Sequence, residues 1–205
     1  MKEPRNYRKF LGIDRNKHIS ICVVSNKTNL KRDYSEFIDS CDLVIRSGKC
    51  CNINSGKAGS RIDIVFLPLF REYLQHTIER RHLKEIRERA RFILYEPFQQ
   101  QAIENYCKKH GLENIPKIPF PYIATVKNKV TSICKVVSFA LFHFSNSTVY
   151  FLGDSIANVR TGWCYWHDLN QDTNFFNEQI KSKRLISILE DDKEDCDCVY
   201  SELIK

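Results

Sequence analysis

The 205-residue chain is short of the residues that break and punctuate structure: it has 7 Gly and 6 Pro, with one Met and two Trp. So little Gly and Pro excludes collagen-like and low-complexity classes, and a composition 42% hydrophobic and 12% aromatic excludes disorder. No apolar run approaches the roughly 18 to 20 residues of a membrane span. The longest, Ile133 to Phe144, is interrupted by Lys135 and His143. The opening MKEPRNYRKF has no apolar core of a signal peptide, so the expected location is cytoplasmic. Cys-x-x-Cys spacing is missing although there are nine cysteines, at positions 22, 41, 50, 51, 107, 134, 164, 196 and 198. Zinc has no support on that spacing, and an odd count without partner pairs fits reduced, mostly buried thiols. Neither Gly-x-Gly-x-x-Gly nor Gly-x-x-x-x-Gly-Lys-Ser/Thr occurs, which removes support for NAD and P-loop chemistry.

What is present begins with charge. The formal net charge is +7, but residues 190–198 (EDDKEDCDC) hold six acidic residues and one Lys, so the remainder carries +12. A cationic body attracts nucleic acid, anionic lipid or a phosphorylated small molecule, and charge alone does not choose. Aromatic-basic RNA motifs and helix-turn-helix patterns are missing, so nucleic acid is not the expected partner.

The periodicity alternates strand and helix. After a basic, polar stretch over 1–18, read as a loose arm, β-branched runs predict strands at Ile19 to Ser25, Asp42 to Arg46, Ile62 to Leu67, Arg91 to Tyr95 and Thr148 to Leu152. Helices are predicted over Arg71 to Ala90 with a basic outer face, over Pro97 to His110 closed by Gly111, over Thr131 to Phe144, and over Asp172 to Leu189. Asn114 to Pro121, with three prolines, reads as a surface connection. Alternating strands and helices imply right-handed crossovers around a largely parallel sheet with helices on both faces, an α/β domain of Rossmann-like type. Ligands of such sheets sit at the carboxyl ends of the strands, so the residues after each strand are the informative ones.

Those residues form a recognisable series. Val-Val-Ser25-Asn26-x-x-x-Leu30, then Ile-Asp-Ser-Cys-Asp42-Leu-Val-Ile-Arg46, then Ala-Gly59-Ser60-Arg-x-Asp63 resembles the large sialylmotif of the family 29 sialyltransferases. Val130-Thr131-Ser132 before an apolar helix, with Thr148-Val-Tyr-Phe-Leu152-Gly153, resembles the small sialylmotif. His167-Asp-Leu-Asn-Gln-Asp172, after Tyr165-Trp166, is similar to the very small motif, His-x-x-x-x-Glu. All three stand in family order and span roughly residues 19 to 190.

The resemblance implies a GT-A-variant sialyltransferase fold, with a basic arm at 1–18, one glycosyltransferase domain at 19–190 and an acidic tail at 191–205. It implies transfer of a sugar acid, sialic acid or Kdo, from a CMP donor to a glycan or glycolipid acceptor, without metal or cofactor. His167 is the expected general base, since a neutral imidazole suits removal of the acceptor proton. Asp172 would orient it or cap the following helix. The expected donor-binding residues are Asn26, Thr28, Arg46, Gly48, Asn52, Thr131, Ser132, Gly153, Asp154, Tyr165 and Trp166. Several have plainer readings beside these: Thr131 as an N-cap, Arg46 as a structural partner of Asp42 or Asp63, the aromatics as core. The sequence departs from the family at Ser25 and Ser132, where glycine is usual, at Gly48, where a second Asn is usual, and at Asp172 for Glu. Family members in eukaryotes carry a membrane anchor and a disulfide that Cys22 and Cys134 suit only approximately. An anchorless form suits a bacterial enzyme of lipooligosaccharide or capsule synthesis, docked by its basic arm and helix on an anionic inner-membrane surface. A non-catalytic CMP-sugar-binding relative is the alternative.

Overall fold

The computed structural model describes residues 6–25, 30–48, 53, 56–68, 80–120, 131–153 and 169–189. In chain order the elements are α1 (Tyr7–Phe10), β1 (Ile19–Val24), α2 (Ser35–Ser40), β2 (Leu43–Ser47), β3 (Ile64–Phe66), α3 (Arg80–Arg89) and β4 (Phe92–Tyr95). A 3₁₀ turn (Pro97–Gln99) leads into α4 (Gln100–His110), followed by β5 (Lys117–Pro119), α5 (Ser132–His143), β6 (Ser147–Gly153), α6 (Leu169–Lys181) and β7 (Leu185–Leu189).

The strands make a seven-stranded sheet in the order β5-β4-β3-β2-β1-β6-β7, and every pairing is parallel. Parallel strands need crossovers that cover both faces, which is why these strands are apolar on both sides. Ile21, Val23, Ile45, Phe66, Val149 and Phe151 face α5 and pack on its Val136, Val137, Phe139 and Ala140. The opposite face is covered by α2 at one end, where Ile38 meets Cys22, Val24, Val44 and Leu152. At its other end α3 and α4 place Leu83, Ile86, Ile103 and Cys107 on Val65, Leu67, Ile93 and Tyr95. As the sequence predicts, α4 stops at Gly111, whose left-handed φ of 67° lets the chain turn away without a Cβ penalty. No helix among the described residues is long and apolar enough to cross a membrane.

Three expectations are corrected. The three-proline stretch read as a surface connection contains β5, an edge strand held by Ile93 N–H to Pro116 O (2.9 Å) and Phe120 N–H to Tyr95 O (2.5 Å). Proline is tolerated there because an edge strand has one side that donates to no neighbour. The helix expected to run to Leu189 ends at Lys181; after a turn with Lys183 at φ 57°, Leu185–Leu189 pairs with β6 from Val149 to Gly153. There the gain of a full ladder on an open sheet edge outweighs the continuing helical period. The arm is not loose over 6–18. Tyr7 and Leu11 are buried, and Arg8 spans from the carbonyls of Asp14 (2.8 Å) and Lys17 (2.7 Å) to those of Ser145 (2.7 Å) and Asn146 (2.9 Å).

Candidate functional site

The strand order turns at β1. From β1 the chain builds β2 to β5 on one side and β6 and β7 on the other, so the carboxyl ends of β1 and β6 flank the topological switch point where open parallel sheets bind ligands. Ser25 follows β1 and donates its N–H to Leu152 O at 2.9 Å. Gly153 ends β6 beneath it: a Cβ there would stand 2.8 Å from Ser25 Oγ and press into the Phe151 ring. Its lack of a side chain is therefore required by close approach. On the other flank Gly48, at φ 67°, donates to Phe66 O at 2.8 Å. Glycine takes this left-handed conformation without a Cβ penalty, which lets the chain turn at the end of β2.

The N-terminus of α5 opens on the same edge. Thr131 takes N-cap geometry, and its Oγ1 accepts from Cys134 N–H at 3.3 Å, while the residues that follow start the helix. Its own N–H goes to Asp172 Oδ2 of α6 at 3.0 Å, and Asp172 is fully buried. Asp172 thus caps a neighbouring helix, and this bond joins the segments resembling the small and very small motifs. Burial, with the Asp172 carboxylate as the next contribution, pushes the Cys134 thiol far above its ordinary range, so Cys134 is an inert core thiol.

At the end of the first turn of α5, Lys135 forms a buried ion pair with Oε1 of Glu96, the residue between β4 and Pro97. Their side chains are 9% and 7% exposed, and Glu96 Oε2 is buried with no hydrogen-bond partner among the described residues. The sequence reading took Lys135 only as an interruption of an apolar run. A lysine in a run that must be buried calls for an acidic partner, and the fold identifies that partner as Glu96.

The large-motif residues divide between two edges. At the amino-terminal edge, Asp39 accepts from the N–H groups of Ser60 (2.9 Å to Oδ2) and Arg61 (3.0 Å to Oδ1), which clasps the loop entering β3. Gly59 has φ 63°, and a Cβ on it would collide with the Asp39 carboxylate. Asp42 takes Ser20 N–H and Oγ, each at 3.0 Å, and Lys17 Nζ at 2.5 Å. The Lys17 hydrogen bond, then that of Ser20 N–H, holds its carboxyl down to about 2. Asp63 accepts from Val44 N–H at 2.8 Å and pairs with Arg61 (2.9 Å) and Arg91 (3.4 Å). Arg46 is buried; its Nε donates to Arg61 O at 2.8 Å and its Nη2 to Ala58 O at 2.5 Å. It braces the loop backbone, a third role beside the ion pair and the ligand contact that the sequence left open.

Gly48, Thr131, Ser132 and Gly153 therefore lie along the carboxyl-terminal edge, as do Ser25 and Asp172 of the motif-like stretches, with Lys135 and Glu96 added by the structure. Asn26, Thr28, Asn52, Asp154, Tyr165, Trp166 and His167 lie outside the described residues, as does the tail 191–205. Cys22, Cys41, Cys107 and Cys134 are free and buried. Cys22 packs on the α2 side of the sheet and Cys134 on the α5 side, so the sheet separates the two thiols.

No family profile matches this sequence, and no curated protein matches it. Among solved structures the chain is similar to a mammalian sialyltransferase in complex with Gal-beta-1-3GalNAc-ortho-nitrophenol. The TM-score is 0.51 at 18% identity, covering 82% of this chain and 68% of that one. Likeness at that identity establishes the fold: a parallel α/β sheet of the sialyltransferase kind.

Proposed function

We propose that the protein is a glycosyltransferase that moves a sugar acid, sialic acid or Kdo, from a CMP donor to a glycan or glycolipid hydroxyl. The observation that carries this reading is the bond from Thr131 N–H to Asp172, which joins two motif-like segments distant in sequence, at the start of α5. A solved structure that shares this fold is a mammalian sialyltransferase in complex with Gal-beta-1-3GalNAc-ortho-nitrophenol.

In this reading the start of α5, with its N–H groups and partial positive charge, receives the donor's phosphate or carboxylate. Ser25 and Gly153 border the floor under the donor. His167, five residues before Asp172, takes the acceptor's proton while CMP leaves. A CMP donor carries one phosphate, and the proposed route uses no metal. The basic surface, including Arg87 and Arg89 of α3, suits an anionic inner-membrane face, and sedimentation with anionic vesicles at low salt tests that part separately.

Slow hydrolysis of CMP-sialic acid or CMP-Kdo without acceptor distinguishes the enzyme from a non-catalytic relative. The wild type is expected to release CMP. His167→Ala is expected to lower that rate about 100-fold or more while CMP affinity persists. CMP binding with no release by the wild type on either donor assigns the chain to the non-catalytic alternative.

A further inference from the structure

We propose that the buried Lys135–Glu96 pair is a positioning clamp that sets the first turn of α5 against the end of β4, so that donor affinity depends on it more than folding does. The inference rests on the reading of the α5 N-terminus as the donor site.

As a stabilising device the pair is poorly placed. Two charges taken out of water lose most of what their attraction returns, and an apolar pair of the same volume commonly folds as well or better. Here the arrangement is costlier still, because Glu96 Oε2 is buried without a hydrogen-bond partner among the described residues. Lys135 also stands in the first turn of its helix, where the macrodipole disfavours a cation. Its chain neighbours on α5, Cys134, Val136 and Val137, belong to the main apolar core, so an apolar residue would be at home at 135. What the pair does achieve is a directional link between two elements that end at the functional edge. Asp172 holds Thr131 from the α6 side, and Glu96 holds Lys135 from the β4 side. Two charged contacts on opposite flanks fix the turn whose N–H groups would face the phosphate. An anion site made of backbone donors needs that precision, since small displacements of a binding group cost affinity steeply.

The test is the double variant Lys135→Met/Glu96→Met in the full chain, with CMP as the probe in titration calorimetry and with thermal unfolding measured alongside. The expected result is CMP binding weakened about tenfold or more with Tm unchanged or raised. A Kd within about twofold of the wild type overturns the clamp and leaves the CMP reading intact. If the Met pair does not fold, Lys135→Gln/Glu96→Gln keeps the polar volume without the charge-assisted bond. It is expected to weaken CMP about threefold or more, and undiminished binding overturns the clamp. The charge-swapped Lys135→Glu/Glu96→Lys separates position from packing: it is expected to regain most of the lost affinity, and no recovery overturns the proposal. A wild type that does not bind CMP removes the donor site itself, and the clamp with it.

Discussion

The two edges of the sheet use the same device, an aspartate accepting backbone N–H groups, for different ends. At the amino-terminal edge, Asp39, Asp42 and Asp63 each tie together chain segments that would otherwise be loose: the loop before β3, the start of β1, the strand β2. Among the described residues these carboxylates face cations and backbone N–H groups. At the carboxyl-terminal edge, Asp172 ties α5 to α6, a lysine is buried against Glu96, and Gly153 leaves room beside Ser25. The difference teaches that a motif is not a site. Much of the stretch resembling the large motif builds the scaffold, and the stretch resembling the small motif shapes the edge where chemistry is expected.

That contrast is sharpened by substitutions that separate stability from binding. The largest stability loss is expected for Asp63→Ala, which strips a buried carboxylate from Arg61, Arg91 and Val44 N–H. The cost is about 3 kcal/mol, roughly 6 to 12 °C in Tm by thermal unfolding, with CMP affinity unchanged. Gly59→Ala comes next, at about 2 kcal/mol, since it meets both a positive φ of 63° and the Asp39 carboxylate. Chemical denaturation should show a lower midpoint at constant slope. Asp172→Asn should cost about 1 kcal/mol in stability but weaken CMP binding as well, because it loosens the cap of α5. If Asp63→Ala lost CMP binding at temperatures where it is folded, while Asp172→Asn kept it, the division between the edges would fail.

The smallest expected effect is a pH dependence. Asp42 titrates near 2 in the folded chain against 3.8 ordinarily, so its contribution to stability is fully present above 3.8 and lost as pH falls through 2. Lys17→Met should raise that folded value toward the ordinary one, visible by NMR titration of the Asp42 carboxyl, and flatten the acid limb of the stability profile.

How far the sequence reaches depends on the kind of residue. Buried strands with β-branched runs, such as Ile19–Val24 and Ser147–Gly153, are legible because burial on both faces leaves a continuous apolar signal. β5 and β7 are not, since Lys117–Pro119 and Leu185–Leu189 become strands by pairing with an edge already built. The switch-point residues Thr131, Gly153 and Asp172 follow from motif order. The Asp39 clasp and the Lys135–Glu96 pair do not, because each joins groups far apart in sequence, and burial decides their meaning only after the chain is folded.

The most direct measurement of the central claim is thermal unfolding of the full chain with CMP, CDP, UDP or GDP in EDTA. Ligand binding to the folded state stabilises it according to concentration over Kd, so selective donor recognition appears as a selective rise in Tm. The account predicts a rise with CMP that CDP, UDP and GDP do not match. A response to UDP that requires manganese, with none to CMP, would contradict it.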